Sequence, residues 1–350
     1  GVFGDSDSYG KGYRLFDWRI AEGITLAGRK LIQDSADEFV NNLNDIKDER
    51  GYEGPNARLV GGDTDSVMSS IPYMDGNTRD EQQAIVDVAH DAADRVNDWY
   101  DEWTTDTFNL QGEHYCKLEI ESYAPWLFIP KGVTKERAKK RYAEIIAWDE
   151  GDWEEPPEFS VTGIDIVRSD RAEITRSVLT DVLEAILRID DRDEARKEVY
   201  DIIKTEVEKV ENGEYPPSYI ARPKGMSKAP EAYGSLTNTP MPTYRGAKYA
   251  NQHLAHEKIG EGGKPQLLYI DKVRGDYPRT YTAETKEDGR QVDAIAVEQP
   301  DKLPDEFVID TQKMLEKTLE DPLTPILEAM NWSYSESLSD TSQGKLSSFM

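Results

Sequence analysis

The chain has 350 residues, enough for two or three domains that each bury a core, and carries 69 acidic against 42 basic residues for a formal net charge of -27. No apolar run reads as a membrane span or a signal segment, and the single cysteine, Cys116, excludes an internal disulfide framework and suits a reduced, cytoplasmic compartment. Charge alone argues against nucleic-acid binding, but the acidic excess is spread along the whole chain, as expected of a protein from a high-salt cytoplasm, so any contact with nucleic acid must come from a local basic cluster.

Asp5-Ser6-Asp7-Ser8-Tyr9-Gly10 has the outline of a calcium loop, yet Tyr9 replaces a ligand position and Phe16 stands where the bidentate Glu belongs. From Trp18 to Phe39 the apolar residues Ile20, Ile24, Ala27, Leu31 and Ile32 recur at helical spacing and predict a helix. Asn41 to Asn56 is polar and reads as a connection. It leads into Leu59-Val60-Gly61-Gly62-Asp63-Thr64-Asp65-Ser66-Val67-Met68, two apolar arms around a Gly-Asp-Thr-Asp turn. Gly and Asp tolerate turn dihedrals, so the stretch predicts a β-hairpin with two carboxylates at its tip. Hard anions on a rigid turn suit Mg²⁺, which takes oxygen ligands at about 2.0–2.1 Å and keeps room for water and phosphates. In an acidic protein the same turn also serves as a plain solvated hairpin tip.

Gly62-Asp63-Thr64-Asp65-Ser66 with its flanking aliphatics resembles motif C of the family B DNA polymerases, usually Tyr-Gly-Asp-Thr-Asp-Ser, with Gly61 standing in place of the Tyr. The resemblance implies that Asp65 is a direct metal ligand and Asp63 a nearby or water-mediated one. Upstream, Gly1-Val2-Phe3-Gly4 would continue the family's Asn-Ser-x-Tyr-Gly-x-x-Gly sequence, and Ile20 to Arg29 resembles the helix that enters the palm. On this reading the chain, which does not begin with Met, starts inside a motif and is the C-terminal piece of something longer, the nucleotide-contacting lysine and tyrosine of the fingers lying upstream. No Asp-x-x-Ser-Leu-Tyr-Pro motif, with the palm's other metal-binding aspartate, and no exonuclease motif occurs here. The 350-residue chain alone is therefore expected to bind metal weakly and not to polymerise.

After the hairpin, Ile85, Val88, Ala89, Ala92, Val96, Trp99 and Trp103 form a stripe that predicts a helix covering the sheet, with His90 on its surface. Tyr115 to Ser122 alternates like a strand and resembles the family's Leu-Glu-x-Glu strand. Glu119 and Glu121 then share one face; Glu121 is a candidate metal-site carboxylate, and a solvated face accounts for the pair equally well. Lys139-Lys140-Arg141-Tyr142 combines three cations with an aromatic ring, which suits a nucleic-acid backbone, and Lys131, Lys135 and Arg137 extend it into the most basic stretch of the sequence. It matches the family's Lys-Lys-Arg-Tyr element, which implies that Lys140 and Tyr142 hold primer-template DNA near its growing end.

Gly163-Ile164-Asp165-Ile166-Val167-Arg168-Ser169-Asp170 resembles the family's Gly-x-Glu-x-Val-Arg-Arg-Asp segment, where palm passes into thumb; Asp165 and Ser169 depart from it, and Arg168 remains a DNA-contact candidate. Ala172 to Leu187 and Asp190 to Val210 predict amphipathic helices, the second ended by Asn212-Gly213 and Pro216-Pro217. Lys224 to Tyr233, with Lys228, looks like a thumb segment, and Arg245 and Lys248 begin a helix that the resemblance lays along the DNA minor groove. Lys264 to Ile270 reads as a short β element before a flexible acidic loop. Ile309 to Met330 is again helical, with Asn331-Trp332 where the family often has Gly-Trp. The Ser-rich, Asp-containing stretch after Trp332 predicts disorder. From it emerges Gln343-Gly344-Lys345-Leu346-Ser347-Ser348-Phe349-Met350, whose spacing matches the motif by which partners bind the sliding clamp PCNA, with Leu346, Phe349 and Met350 as an apolar plug and Gln343 at its rim.

These observations predict an α+β fold: the end of the fingers with the helix entering the palm over 1–35, a palm of antiparallel β-sheet with covering helices over 36–170, a mainly helical thumb over 171–332, and a disordered tail over 333–350. The chain resembles the C-terminal part of an archaeal, haloarchaeal DNA polymerase of family B. That implies a cytoplasmic, nucleoid-associated enzyme of DNA replication using two Mg²⁺ ions, primer-template DNA and deoxynucleoside triphosphates, with the clamp as partner and no membrane. A glycosyltransferase also uses an Asp-x-Asp turn, but has no reason for Lys139 to Tyr142 or the terminal motif. A non-catalytic relative that binds DNA and the clamp is the other reading.

Overall fold

Phe39, Leu43 and Ile46 follow one another at helical spacing, and this stripe carries α1 (Trp18–Arg50) well past Phe39, through the first part of the stretch expected to be a connection. Of the polar residues between them, Asn41 and Asp45 are exposed, while Asn42 is buried. Asp17 caps its start by accepting the Arg19 N–H at 3.0 Å, and Gly51, at φ 68, ends it in the left-handed region. The computed structural model describes residues 17–62, 65–130, 140–233, 241–281 and 289–339. They fall into two units, one drawn from Gly1–Pro125 and Ile146–Glu158, the other from Trp126–Ile145 and Phe159–Met350.

In the first unit α1 packs on α2 (Arg79–Phe108), whose start is fixed by a capping box between Thr78 and Glu81. The predicted stripe faces inward: Val88, Ala92 and Val96 meet Phe39, Leu43 and Ile46 in one core. Leu43, Ile46 and Val96 are fully buried, each burial worth roughly 2 kcal/mol. The hairpin is present as β1 (Arg58–Gly62) and β2 (Val67–Ser70), antiparallel, with Leu59 opposite Ser69, Gly61 opposite Met68, and a bulge between Leu59 and Gly61.

The expected strand over Tyr115–Ser122 is reduced to β3 (Ser122–Tyr123). Alternation does hold, since Cys116, Leu118 and Ile120 pack against the core, but Asn97 takes the Leu118 backbone: its Oδ1 accepts the N–H at 2.7 Å and its Nδ2 donates to the carbonyl at 2.9 Å. Half-burial alone thus produces a period of two. Ser122 and Tyr123 pair with Asp149 and Trp148 of β5 (Tyr142–Asp149). Beyond Asp149 the chain turns at Glu150-Gly151 into β6 (Asp152–Thr162), which pairs with β5 and whose Trp153 carries the Arg79 guanidinium 4.0 Å over its ring.

In the second unit β4 (Trp126–Phe128) pairs with the start of β5. The two helices expected next are α3 (Glu173–Arg188) and α4 (Arg192–Glu211), followed by the short α5 (Pro217–Ile220), β7 (Arg222–Pro223) and α6 (Pro230–Tyr233), and by α7 (Pro242–His253). The β element expected over Lys264 to Ile270 is present. β8 (Gln266–Val273) has β7 and β9 (Ala294–Val297) as partners over its first half and β10 (Phe307–Ile309) over its second. Ala294-Ile295-Ala296-Val297 is wholly buried although it pairs only with β8, and its short apolar run was the available signal for a buried strand. Gly246 lets α7 lie directly on this strand: a Cβ there would stand 2.8 Å from the Ala296 nitrogen, so no other residue fits without moving backbone.

The last predicted helix forms as α8 (Thr311–Leu315), a π turn over Glu316–Glu320, and α9 (Asp321–Ala329). Pro322 has no N–H to offer the carbonyl of Thr318 four residues earlier, and that carbonyl accepts the Thr175 hydroxyl of α3 at 2.7 Å. Thr175→Val keeps the shape but removes the donor from a fully buried site; urea denaturation should show a loss of about 1–2 kcal/mol, and an unchanged midpoint would mean that this bond contributes nothing. Asn331 takes the left-handed φ of 56 that a glycine would fill, and buried Trp332 follows. Order does not end there, contrary to expectation: α10 (Tyr334–Ser337) packs back on α4, with the Tyr200 hydroxyl bonded to Glu336 at 3.0 Å and Ser337 buried. The proposed clamp motif, Gln343, Leu346, Phe349 and Met350, lies outside the described residues, as do Gly1 to Gly4.

Candidate metal and nucleic-acid sites

Both ends of the β1/β2 hairpin are tied to α1. Before β1, Asn44 accepts the Ala57 N–H at 2.8 Å and donates to its carbonyl at 3.3 Å; after β2, the buried Tyr73 hydroxyl donates to the Leu43 carbonyl at 2.8 Å. Burial pushes Tyr73 up to about 12, so this donor keeps its proton at any physiological pH. Asn44 and Leu43 are adjacent on α1, which makes a single helical turn the foundation of the hairpin. Gly62 closes on Ser66 at the tip, and Asp65 projects into solvent; Asp63 and Thr64 lie outside the described residues.

A solvent-facing carboxylate on a pinned turn is a hard oxygen donor of the kind Mg²⁺ accepts. Glu121 is exposed just before β3, its carbonyl accepting the Glu150 N–H at 2.8 Å. Among the described residues no three His, Cys, Asp or Glu side chains converge as a preformed metal cage.

The second unit gathers cations. Lys139 lies outside the described residues; Lys140 is exposed, with a left-handed φ of 56, and Arg141 and Tyr142 lead into β5 half-buried. Beneath them Asp165 is 7% exposed and faces Arg171 at 2.7 Å, Arg141 at 3.6 Å and Arg168 at 4.0 Å. Arg168 also forks onto Asp170, at 2.9 and 3.2 Å, and Lys224 reaches the same carboxylate at 2.9 Å. The Arg168 hydrogen bonds hold Asp170 far below the usual carboxylate range, overcoming its partial burial. Lys224 nonetheless shifts down, because desolvation of a half-buried ammonium outweighs its pairing with Asp170. The guanidinium lost at Ser169 is thus matched by Arg171, which carries no motif signal of its own, and Lys224 joins the cluster from the segment in which Lys228 was the expected DNA contact. Lys228 is exposed nearby in sequence.

Arg245 and Lys248 are placed otherwise than expected. Both sit on α7 but are buried, at 4% and 7% exposure, and Arg245 forks onto Asp293 at 2.9 and 2.7 Å. A guanidinium held in that way serves the interior of the unit, so neither residue is placed to touch DNA.

The description "DNA polymerase family B" matches residues 9–330. A DNA polymerase of Paramecium bursaria Chlorella virus NY2A is 26% identical over 322 residues, 88% of this chain and 29% of that protein. The DNA polymerase delta catalytic subunit of Candida albicans is 29% identical over 182 residues, 51% of this chain and 14% of its own length. A DNA polymerase of Thermococcus gorgonarius is 27% identical over 213 residues, 60% of this chain and 21% of its own. The chain therefore spans less than a third of the length of these relatives.

Proposed function

The chain belongs to DNA polymerase family B, and on that premise we propose that it is the portion of a replicative DNA polymerase that carries a metal-binding hairpin and a grip on primer-template DNA. The observation that carries this reading is the pinned hairpin with Asp65 exposed at its tip, followed along the chain by a cationic turn at Lys140–Tyr142. Asp65 and Asp63 would hold Mg²⁺, two ions in the working enzyme, which supply activation of the primer 3′-hydroxyl and neutralisation of triphosphate charge. The chain's own residues orient and hold. Asp65 is fixed through Asn44 and Tyr73, while Lys140, Arg141, Arg168 and Lys228 pair with phosphates of the duplex and Tyr142 packs on sugar or base.

The acidic excess fits a haloarchaeal source, where molar salt screens self-repulsion to a Debye length of roughly 3 Å. The terminal Gln343, Leu346, Phe349 and Met350 would engage the sliding clamp. The test is primer extension by the polymerase that contains this chain, in molar KCl. Extension with Mg²⁺ that stops on addition of EDTA and returns with excess Mg²⁺ is expected. A folded polymerase that binds primer-template but never extends it would instead make the chain part of a non-catalytic, DNA- and clamp-binding relative.

A further inference from the structure

Gly163 and Asp165 form the seat of the basic turn. Lys140 and Gly163 both take left-handed φ values, 56 and 64, and a Cβ on Gly163 would collide with the Lys140 carbonyl, so the two backbones touch directly. Two residues on, Asp165 opens a 3₁₀ turn (Asp165–Val167) and lies buried under Arg141, Arg168 and Arg171. Arg141 and Arg171 each keep a buried Nε–H with no hydrogen-bond partner, while Arg141 and Arg168 remain about half exposed at 41% and 53% of their side chains. Burying a carboxylate is costly unless its partners are held in place, and three guanidinia converge on this one.

We infer that Asp165 is a positioning residue for DNA binding: from beneath, paired with Arg171 at 2.7 Å, it holds the half-exposed Arg141 guanidinium at 3.6 Å so that its outer N–H groups present a set fork to phosphate, while Arg168 beside it is held by Asp170. This rests on the reading of the Lys140–Tyr142 turn as a DNA contact. Removing a negative charge from a DNA-binding face should strengthen binding if charge alone counts; removing a positioning carboxylate weakens it.

The experiment measures fluorescence anisotropy of a labelled primer-template duplex with the 350-residue chain, across the KCl range in which circular dichroism shows it folded. Asp165→Asn should bind about tenfold more weakly than the parent chain, and its dependence of log Kd on log[KCl] should flatten by about 0.9 for each phosphate that is no longer neutralised. Asp165→Glu, which restores the carboxylate, should recover most of the affinity. Arg141→Lys conserves charge at a half-exposed position but lacks the fork, and should also lose affinity, which keeps the idea testable if Asp165→Asn does not fold. Folded Asp165→Asn or Arg141→Lys binding as tightly as the parent, beside a weakened Arg141→Ala, would overturn the positioning role alone. Unchanged binding by Arg141→Ala would overturn the DNA-contact reading and this inference with it.

Discussion

Asp65→Ala is expected to abolish Mg²⁺-dependent primer extension by the polymerase that carries this chain, with a loss of at least about a hundredfold, while primer-template affinity stays within about twofold. The expectation follows from how the hairpin is held. Its position is set by Asn44 and Tyr73 acting on Ala57 and Leu43, none of which touches the tip, so the backbone of the turn survives truncation of one side chain. Asp65 is exposed, and truncating an exposed side chain usually changes stability by no more than about 0.5 kcal/mol. A loss of extension with an unchanged melting temperature would then report chemistry rather than folding. Equal extension by both proteins would make the hairpin structural, and the proposed metal site would be lost.

Asp293→Ala should be the most damaging change of a charged residue in the second unit, lowering its stability by about 3–5 kcal/mol and its melting temperature by roughly 10 °C or more. Asp293 receives the Arg245 fork, the Tyr281 hydroxyl at 3.0 Å and Arg290 at 2.7 Å. Without it the Arg245 charge stays in the core, 4% exposed, without its carboxylate. The reverse change, Arg245→Met, should cost much less, because the Asp293 side chain is 36% exposed and still faces Arg290. Equal losses from the two substitutions would contradict this asymmetry. The pair also sets a pH dependence. Burial pushes Asp293 up, but the Arg245 hydrogen bonds and charge overcome it, so the folded carboxyl titrates below its ordinary range. The unfolded state then binds the proton more readily, and the stability from this group is full above roughly pH 4 and lost as pH falls below it. Thermal melts at decreasing pH should show that acid limb shallower in Asp293→Ala.

Arg245 also shows where sequence reading stopped. A cation near the start of a helix reads as a surface contact, and nothing local marks Asp293, 48 positions away, as its partner. The same limit hid the seat at Gly163 and Asp165, because Lys140 meets Gly163 only through a fold that returns the chain there. Tyr115 to Ile120 misled in the opposite sense: its alternation was real, but a side chain, Asn97, took the place of a neighbouring strand.

What the sequence determined by itself was the motif at Gly62–Ser66, the order of the elements that follow it, the stripe of α2, and α3 and α4 nearly to their ends. These rest on local chemistry: turn dihedrals, helical periodicity and capping, each contained within a few neighbouring residues. The tertiary structure alone decided which cations face solvent and which are locked inside, that β9 pairs with β8 beyond the expected loop, and that one turn of α1 founds the hairpin. Those outcomes depend on pairings between distant residues, whose free energy is realised only when the chain has folded, and a one-dimensional pattern of polarity carries no record of them.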